Sequence, residues 1–136
     1  LEKLFAEKGA ETVGDVMSVL KELPEYQAAM KVKAGPTLFS GSEKNRAGKI
    51  APLEITGGTE GPHQSYEKLA QAGVGTIISM HASEEHRKEA QKHHINLVIA
   101  GHMSSDSIGM NLILDKFEAQ GVEIVPTSGL IRVSRN

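Results

Sequence analysis

The sequence predicts an α/β fold: a mostly parallel sheet with helices on both faces, in a three-layer sandwich. Three observations predict it. Units of strand, turn and helix repeat three times between Ile50 and Val125, and strands joined through such crossovers pair in parallel with helices on the sheet faces. Asn96 to Ala100 carries four apolar residues in five, the pattern of a strand buried on both sides. The helical stretches between strands are punctuated by capping chemistry, with Ser83 before one and Gly73 and Gly121 after two others.

A chain of 136 residues, 39% of them hydrophobic, is long enough for one compact domain with one core. Residues 1–48 read as a helical N-terminal segment and connector, and 49–136 as the α/β part. Leu1, Leu4 and Phe5 fall at helical spacing and Gly9 stops that helix. The chain opens in mid-pattern, so we expect a piece of something longer, with its site shown in part. Thr12 and Asp15 resemble a capping signal, and Val13, Val16, Met17 and Leu20 form an apolar stripe that ends before Pro24. Glu25 to Met30 continues as a helical turn. From Lys31 to Lys49 the periodicity fades, leaving Val32 and Leu38-Phe39 as short strand pieces among polar turns.

Order returns at Ile50. Leu53 to Thr56 reads as a strand, Gly57-Gly-Thr-Glu-Gly-Pro62 as a Gly-rich turn, and His63 to Ala72 as a helix. Val74 to Met80 is a strand, and Ser83-Glu84-Glu85 opens a helix whose acids complement its dipole. After strand Asn96 to Ala100 comes the longest helix, Ser104 to Gln120, with Ile108, Leu112, Ile113 and Phe117 expected on its inner side. Val122 to Val125 and Leu130 to Val133 are two further strands, the last an edge because it includes Arg132.

A net charge of -2 leaves no electrostatic footprint for nucleic acid or an anionic membrane. The absence of cysteine excludes disulfides, thiolate metal sites and cysteine nucleophiles. No run reaches the roughly 18 apolar residues of a membrane span, so a cytoplasmic location is expected. No serine stands on a nucleophile elbow.

All six histidines lie between His63 and His102. His81 follows one strand and His102 nearly follows the next, so adjacent parallel strands would bring both imidazoles to one edge of the sheet, where open α/β sheets hold ligands. Asp106 stands one turn beyond His102, and the Gly57 to Gly61 turn borders the same crevice. Imidazole with carboxylate suits zinc, iron or manganese rather than magnesium or calcium. The alternative for His102 and Asp106 is a helix N-terminal pair, with Asp106 favouring the dipole. His86, on the first turn of its helix, either points back to the site or faces water. His93 and His94 serve as charges near a helix C-terminus, and His63 faces water. The Gly57 to Gly61 turn lacks the ending of a P-loop and Glu60 would repel phosphate, so a tight turn is the simpler account. Met80, Met103 and Met110 read as core filler.

With these residues in view, the chain resembles the family of NGG-interacting-factor-three-like proteins, also labelled GTP cyclohydrolase type-two homologues. That family is described as carrying a dinuclear metal centre. The similarity runs from about Thr12 to Val125 as an order of elements: strand with Gly57-Gly-Thr-Glu-Gly61, helix ending Ala72-Gly73, strand ending Met80-His81, helix containing His86, then Gly101-His102-x-x-x-Asp106. The family's late motif is Gly-His followed four residues after the His by an acid, usually Glu, both side chains binding metal. Here Asp replaces Glu. The family's early His-His-Pro motif has no counterpart, since Ile95 follows His93-His94, and Met80-His81 stands where Gly-Asp is common.

The resemblance implies the C-terminal half of a duplicated α/β fold whose N-terminal half is absent from this chain, and ring-shaped homo-oligomers, hexamers in the family. A diverged member with no working centre is the competing explanation. It implies a metal-dependent, cyclohydrolase-like hydrolase acting on a small molecule. His102 and Asp106 would bind a divalent transition metal, two ions in the whole protein. His81, His86, Gly57, Gly58 and Glu60 would stand behind the ligands or face substrate. The alternatives are a non-catalytic scaffold or regulatory binding protein with a structural metal or none, and a ligand-binding module without metal.

Overall fold

The computed structural model describes residues 1–54 and 62–136. The expected Gly-rich turn, including Gly57, Gly58 and Glu60, lies outside them. Helix α1 (Glu2–Lys8) ends at Gly9, whose φ of 63° is the left-handed cap expected there. Helix α2 (Val13–Glu22) opens with a reciprocal capping box between Thr12 and Asp15, and its Val13, Val16, Met17 and Leu20 are buried. Leu23 closes α2 and opens α3 (Pro24–Lys31), where Pro24 takes a first-turn position that needs no N–H donor.

Four strands form one sheet in the order β1 (Thr37–Ser40), β4 (Asn96–Ile99), β3 (Val74–Ser79), β2 (Lys49–Pro52). The three later strands run parallel, as their crossovers require, and β1 pairs antiparallel with β4. Helix α4 (Ser65–Gln71) lies between β2 and β3, and α5 (Glu84–Lys92), capped by Ser83, between β3 and β4. Helix α6 (His102–Glu118) follows β4. Successive residues of a strand point to opposite faces, so Ile78 and Val98 join a cluster with α1, α2 and α3, while Ile77 and Leu97 join Tyr66 of α4 and Ala90 of α5. Helices therefore cover both faces, the α/β architecture that the repeats predict. Among the described residues no helix is long and apolar enough to cross a membrane.

Three expectations are corrected. Neither Val122 to Val125 nor Leu130 to Val133 is a strand; the edges are β1, from the connector, and β2. Residues after α6 are tied to it through side chains: Asn111 Nδ2 donates to the Ile131 carbonyl, and Ile131 N–H donates to Ser107 Oγ. In place of the strand expected over Leu53 to Thr56, β2 stops at Pro52; Leu53 and Glu54 lie outside it, and Ile55 and Thr56 fall outside the described residues. Finally, α6 buries Ser104, Ser107, Asn111 and Asp115, while Met103, Met110, Leu112, Ile113 and Phe117 are exposed. Only Ile108 packs against the core as expected. The polar side chains can go inside because partners satisfy them: Asn111 bonds Glu25, and Asp115 pairs with Arg132.

Candidate functional site

The carboxyl ends of β3 and β4 deliver two imidazoles to one place. Gly101 leaves β4 with φ +96°, and a Cβ there would stand 2.9 Å from the Ala34 carbonyl oxygen. Only glycine meets both conditions without strain. Helix α6 starts immediately afterwards, held by Ser105 Oγ donating to the Gly101 carbonyl at 2.6 Å and by Tyr26 Oη sharing a 3.1 Å hydrogen bond with Ser105 Oγ. One helical turn separates His102 from Asp106, so their side chains stack on one face. His102 Nε2 lies 3.2 Å from Asp106 Oδ2, both groups being about half exposed. The His81 ring lies 5.3 Å from that of His102, the convergence that parallel pairing of β3 with β4 predicts.

Glu54, just after β2, fixes the turn that carries His81. Its Oε2 accepts from Met80 N–H at 2.9 Å and from Ser79 Oγ at 3.0 Å, and Ser79 Oγ also lies 3.0 Å from the His81 carbonyl. In sequence Glu54 falls inside the strand expected over Leu53 to Thr56 and carries no motif. Its one signal was an acid at the end of an apolar stretch, next to the Gly-rich turn. Glu54, Ser79, Met80, Ala100 and Ser105 line a cavity of about 160 Å³ at the ends of the parallel strands. A larger, mainly apolar cavity of about 470 Å³ is lined by His102 together with Ala28, Ala29, Val32, Met103 and Ile131.

His86 takes neither position expected of it. It is buried, its Nδ1 3.3 Å from Tyr66 Oη, and among the described residues its Nε2 has no hydrogen-bond partner. Burial, with a smaller contribution from the negative Glu54, pushes the Tyr66 phenol well above its usual range, so it stays protonated at neutral pH. His63 is exposed, as expected, and its ring also packs edge-on to His86 with centres 6.5 Å apart. His93 caps α5, 3.3 Å from Glu89, and His94 adopts a left-handed φ of 56°. Met103 and Met110 are exposed rather than core filler.

An imidazole nitrogen and a carboxylate oxygen 3.2 Å apart have the separation of neighbouring donors around a transition metal bound at about 2.1 Å. That donor set fits zinc, iron or manganese. It is only one edge of a coordination shell: among the described residues, no three His, Asp or Glu side chains are grouped to hold a metal ion.

A mostly parallel α/β sheet with a strand-end histidine–aspartate pair defines the class of protein. Three solved structures share its fold. A NIF3 superfamily protein from Sphaerobacter thermophilus is 28% identical, with a TM-score of 0.74 over 95% of this chain and 46% of that one. HcgD from Methanocaldococcus jannaschii, in its reduced form, is 12% identical, with a TM-score of 0.54 over 83% of this chain and 40% of that one. A Bacillus cereus protein related to NIF3 is 18% identical, with a TM-score of 0.54 over 90% of this chain and 33% of that one. The last two show the fold alone. The family resemblance in the sequence is thus borne out, and this chain spans less than half the length of each neighbour. No family model and no curated protein matches it in sequence.

Proposed function

We propose that this chain supplies part of a metal-dependent hydrolytic site of the cyclohydrolase-like kind, with His102 and Asp106 as metal ligands and His81 facing the bound ion or its substrate. The observation that carries this reading is the 3.2 Å approach of His102 Nε2 to Asp106 Oδ2 beyond the ends of parallel strands, where α/β sheets place their ligands. A divalent zinc, iron or manganese ion held there would lower the pKa of a bound water and polarise the substrate. The chain's own contribution is positioning. Gly101 sets the direction of His102, the helical turn between His102 and Asp106 puts both side chains on one face, and Glu54 with Ser79 fixes the turn that brings His81 alongside. The remaining ligands would come from outside the described residues, in a homo-oligomer or a longer protein.

A second reading, a scaffold or regulatory binding protein, is favoured by the absence of a third ligand among the described residues. Metal analysis tests the first. The purified protein, incubated with zinc or manganese and desalted, should retain metal, and His102→Ala or Asp106→Ala should weaken retention by at least about tenfold. Equal metal content in wild type and both variants would remove the proposal. Hydrolysis of purine nucleotides and related cyclic compounds then separates the two readings, and metal retained without turnover across the panel would favour the scaffold.

A further inference from the structure

The cavity of about 470 Å³ at the start of α6 holds no metal-binding pair of its own, yet it shares His102 with the candidate site. Ala28, Ala29 and Val32 of α3 form one side, His102 and Met103 a second, and Ile131 a third. Its volume and lining match those of small-molecule pockets, which span about 300 to 1,000 Å³ and are mostly apolar with a few polar groups. Its third side is held firmly. Ile131 N–H donates to Ser107 Oγ at 3.1 Å and its carbonyl accepts from Asn111 Nδ2 at 2.9 Å, so the inward polar face of α6 pins this residue by both backbone groups. A wall ordered in advance spares a ligand the cost of ordering it on entry.

We propose that the cavity binds an uncharged aromatic ring of the molecule whose polar end reaches the metal. The proposal rests on the metal-site reading and adds the chemical class of its substrate. The lining selects that class. Among the described residues it contains no Lys or Arg, and its one imidazole would be engaged by the ion, so a phosphate or carboxylate seated there would be desolvated without a counter-charge. A thioether and an imidazole both make favourable contacts with an aromatic ring. Met103 is 55% exposed and Val32 74%, so a ring between them removes apolar surface from water, and the unbranched Met103 side chain can follow its outline. His102 belongs to both places, since its imidazole lines the cavity while its Nε2 stands 3.2 Å from Asp106 Oδ2. A ring packed against it sets an attached hydrolysable group beside the ligand pair.

Methyl NMR of the purified chain without metal tests the ring site, with indole as the probe. Indole should shift the Ala28, Met103 and Ile131 methyls and saturate with a dissociation constant of about 1 mM or lower. Ala28→Leu fills the cavity from a half-buried helix position and should weaken binding at least about fivefold. Met103→Ala, at an exposed position, should weaken it too, which keeps the test intact if Ala28→Leu fails to fold. On zinc-loaded protein, benzohydroxamate should bind at least about tenfold more tightly than acetohydroxamate, which has the same metal-binding head and no ring. Methyls unmoved by about 5 mM indole, or affinities equal in wild type and both variants, would overturn the ring site whatever the metal assay returns. Shifts that follow protein concentration instead of indole would seat a second copy in the cavity and overturn it as well. Indole binding by a chain that retains no zinc would overturn the link between ring and metal, and equal affinities for the two hydroxamates would do the same.

Discussion

At Gly101 the chain leaves β4, turns and starts α6 within a single residue, and the position of His102 follows from that turn. Its φ of +96° and the Ala34 carbonyl 2.9 Å from where a Cβ would sit leave no room for a side chain. Gly101→Ala combines a disfavoured backbone conformation with a collision against backbone, each of which costs of order 1 kcal/mol or more. We expect Gly101→Ala to lower stability by about 2 kcal/mol and to reduce metal retention along with it. Chemical denaturation beside metal analysis checks both, and an unperturbed variant would mean that the turn has freedom the geometry denies. The identity of these residues was readable from sequence because strand ends are: His81 and His102 follow apolar runs whose parallel pairing sets them side by side. The surroundings of His86 were not readable. A histidine three residues beyond an N-cap has the same local pattern whether it faces solvent or Tyr66, and only the packing of α5 against α4 decides.

The strands and helices divide in a similar way between what local sequence specifies and what long-range contacts specify. Strands β3 and β4 and helix α5 have strong local signals, namely apolar runs, a Ser83 cap and the left-handed Gly73 before β3, and they form close to the expected bounds. Strand β1 has four residues, only two of them apolar, and becomes a strand because β4 offers it an edge. For α6 the local pattern misleads, since apolar spacing identifies the helix but not which face is inside. The interior polar face exists because Glu25 and Arg132 reach it from elsewhere in the chain. Within the sheet, Gly75 shows how an element's interior can depend on one absent methyl group. The register between β2 and β3 slips at this point, Lys49 pairing with Val74 and Ile50 with Thr76. Gly75 is the extra residue of that bulge, and a Cβ on it would stand 2.6 Å from the Ala47 carbonyl oxygen and 3.0 Å from Gly48 Cα. Both are backbone atoms and cannot swing aside. Gly75→Ala should therefore cost about 1 to 3 kcal/mol, seen as a lower denaturation midpoint. An unchanged midpoint would show that β2 can shift away from β3 at no cost.

Across the whole molecule, the segment after α6 is held by charge rather than by sheet pairing. Glu25 on α3 has no exposed side-chain surface, and both its oxygens lie 2.8 Å from the Arg135 guanidinium, with Asn111 donating to Oε1. Arg132 spans Asp115 at 2.7 Å and Glu118 at 3.0 Å. Burial alone would raise the Glu25 pKa, but the hydrogen bonds from Arg135 and Asn111 outweigh it and hold the carboxyl below the ordinary glutamate range. A carboxyl whose pKa is depressed on folding contributes stability that is complete above its unfolded value and is lost as pH falls through the folded one. Arg135→Met keeps much of the side-chain length and removes the charge, leaving Glu25 buried beside Asn111 alone. Breaking a buried pair from one side costs about 3 kcal/mol even at the low end, so at neutral pH the variant should melt well below wild type. The gap should narrow as pH drops below about 4, because protonated Glu25 no longer needs the guanidinium. Thermal melts of both proteins between neutral pH and about pH 3 measure it. A gap that stays constant over that range would place the stabilisation in the packing of the Arg135 side chain rather than in its charge.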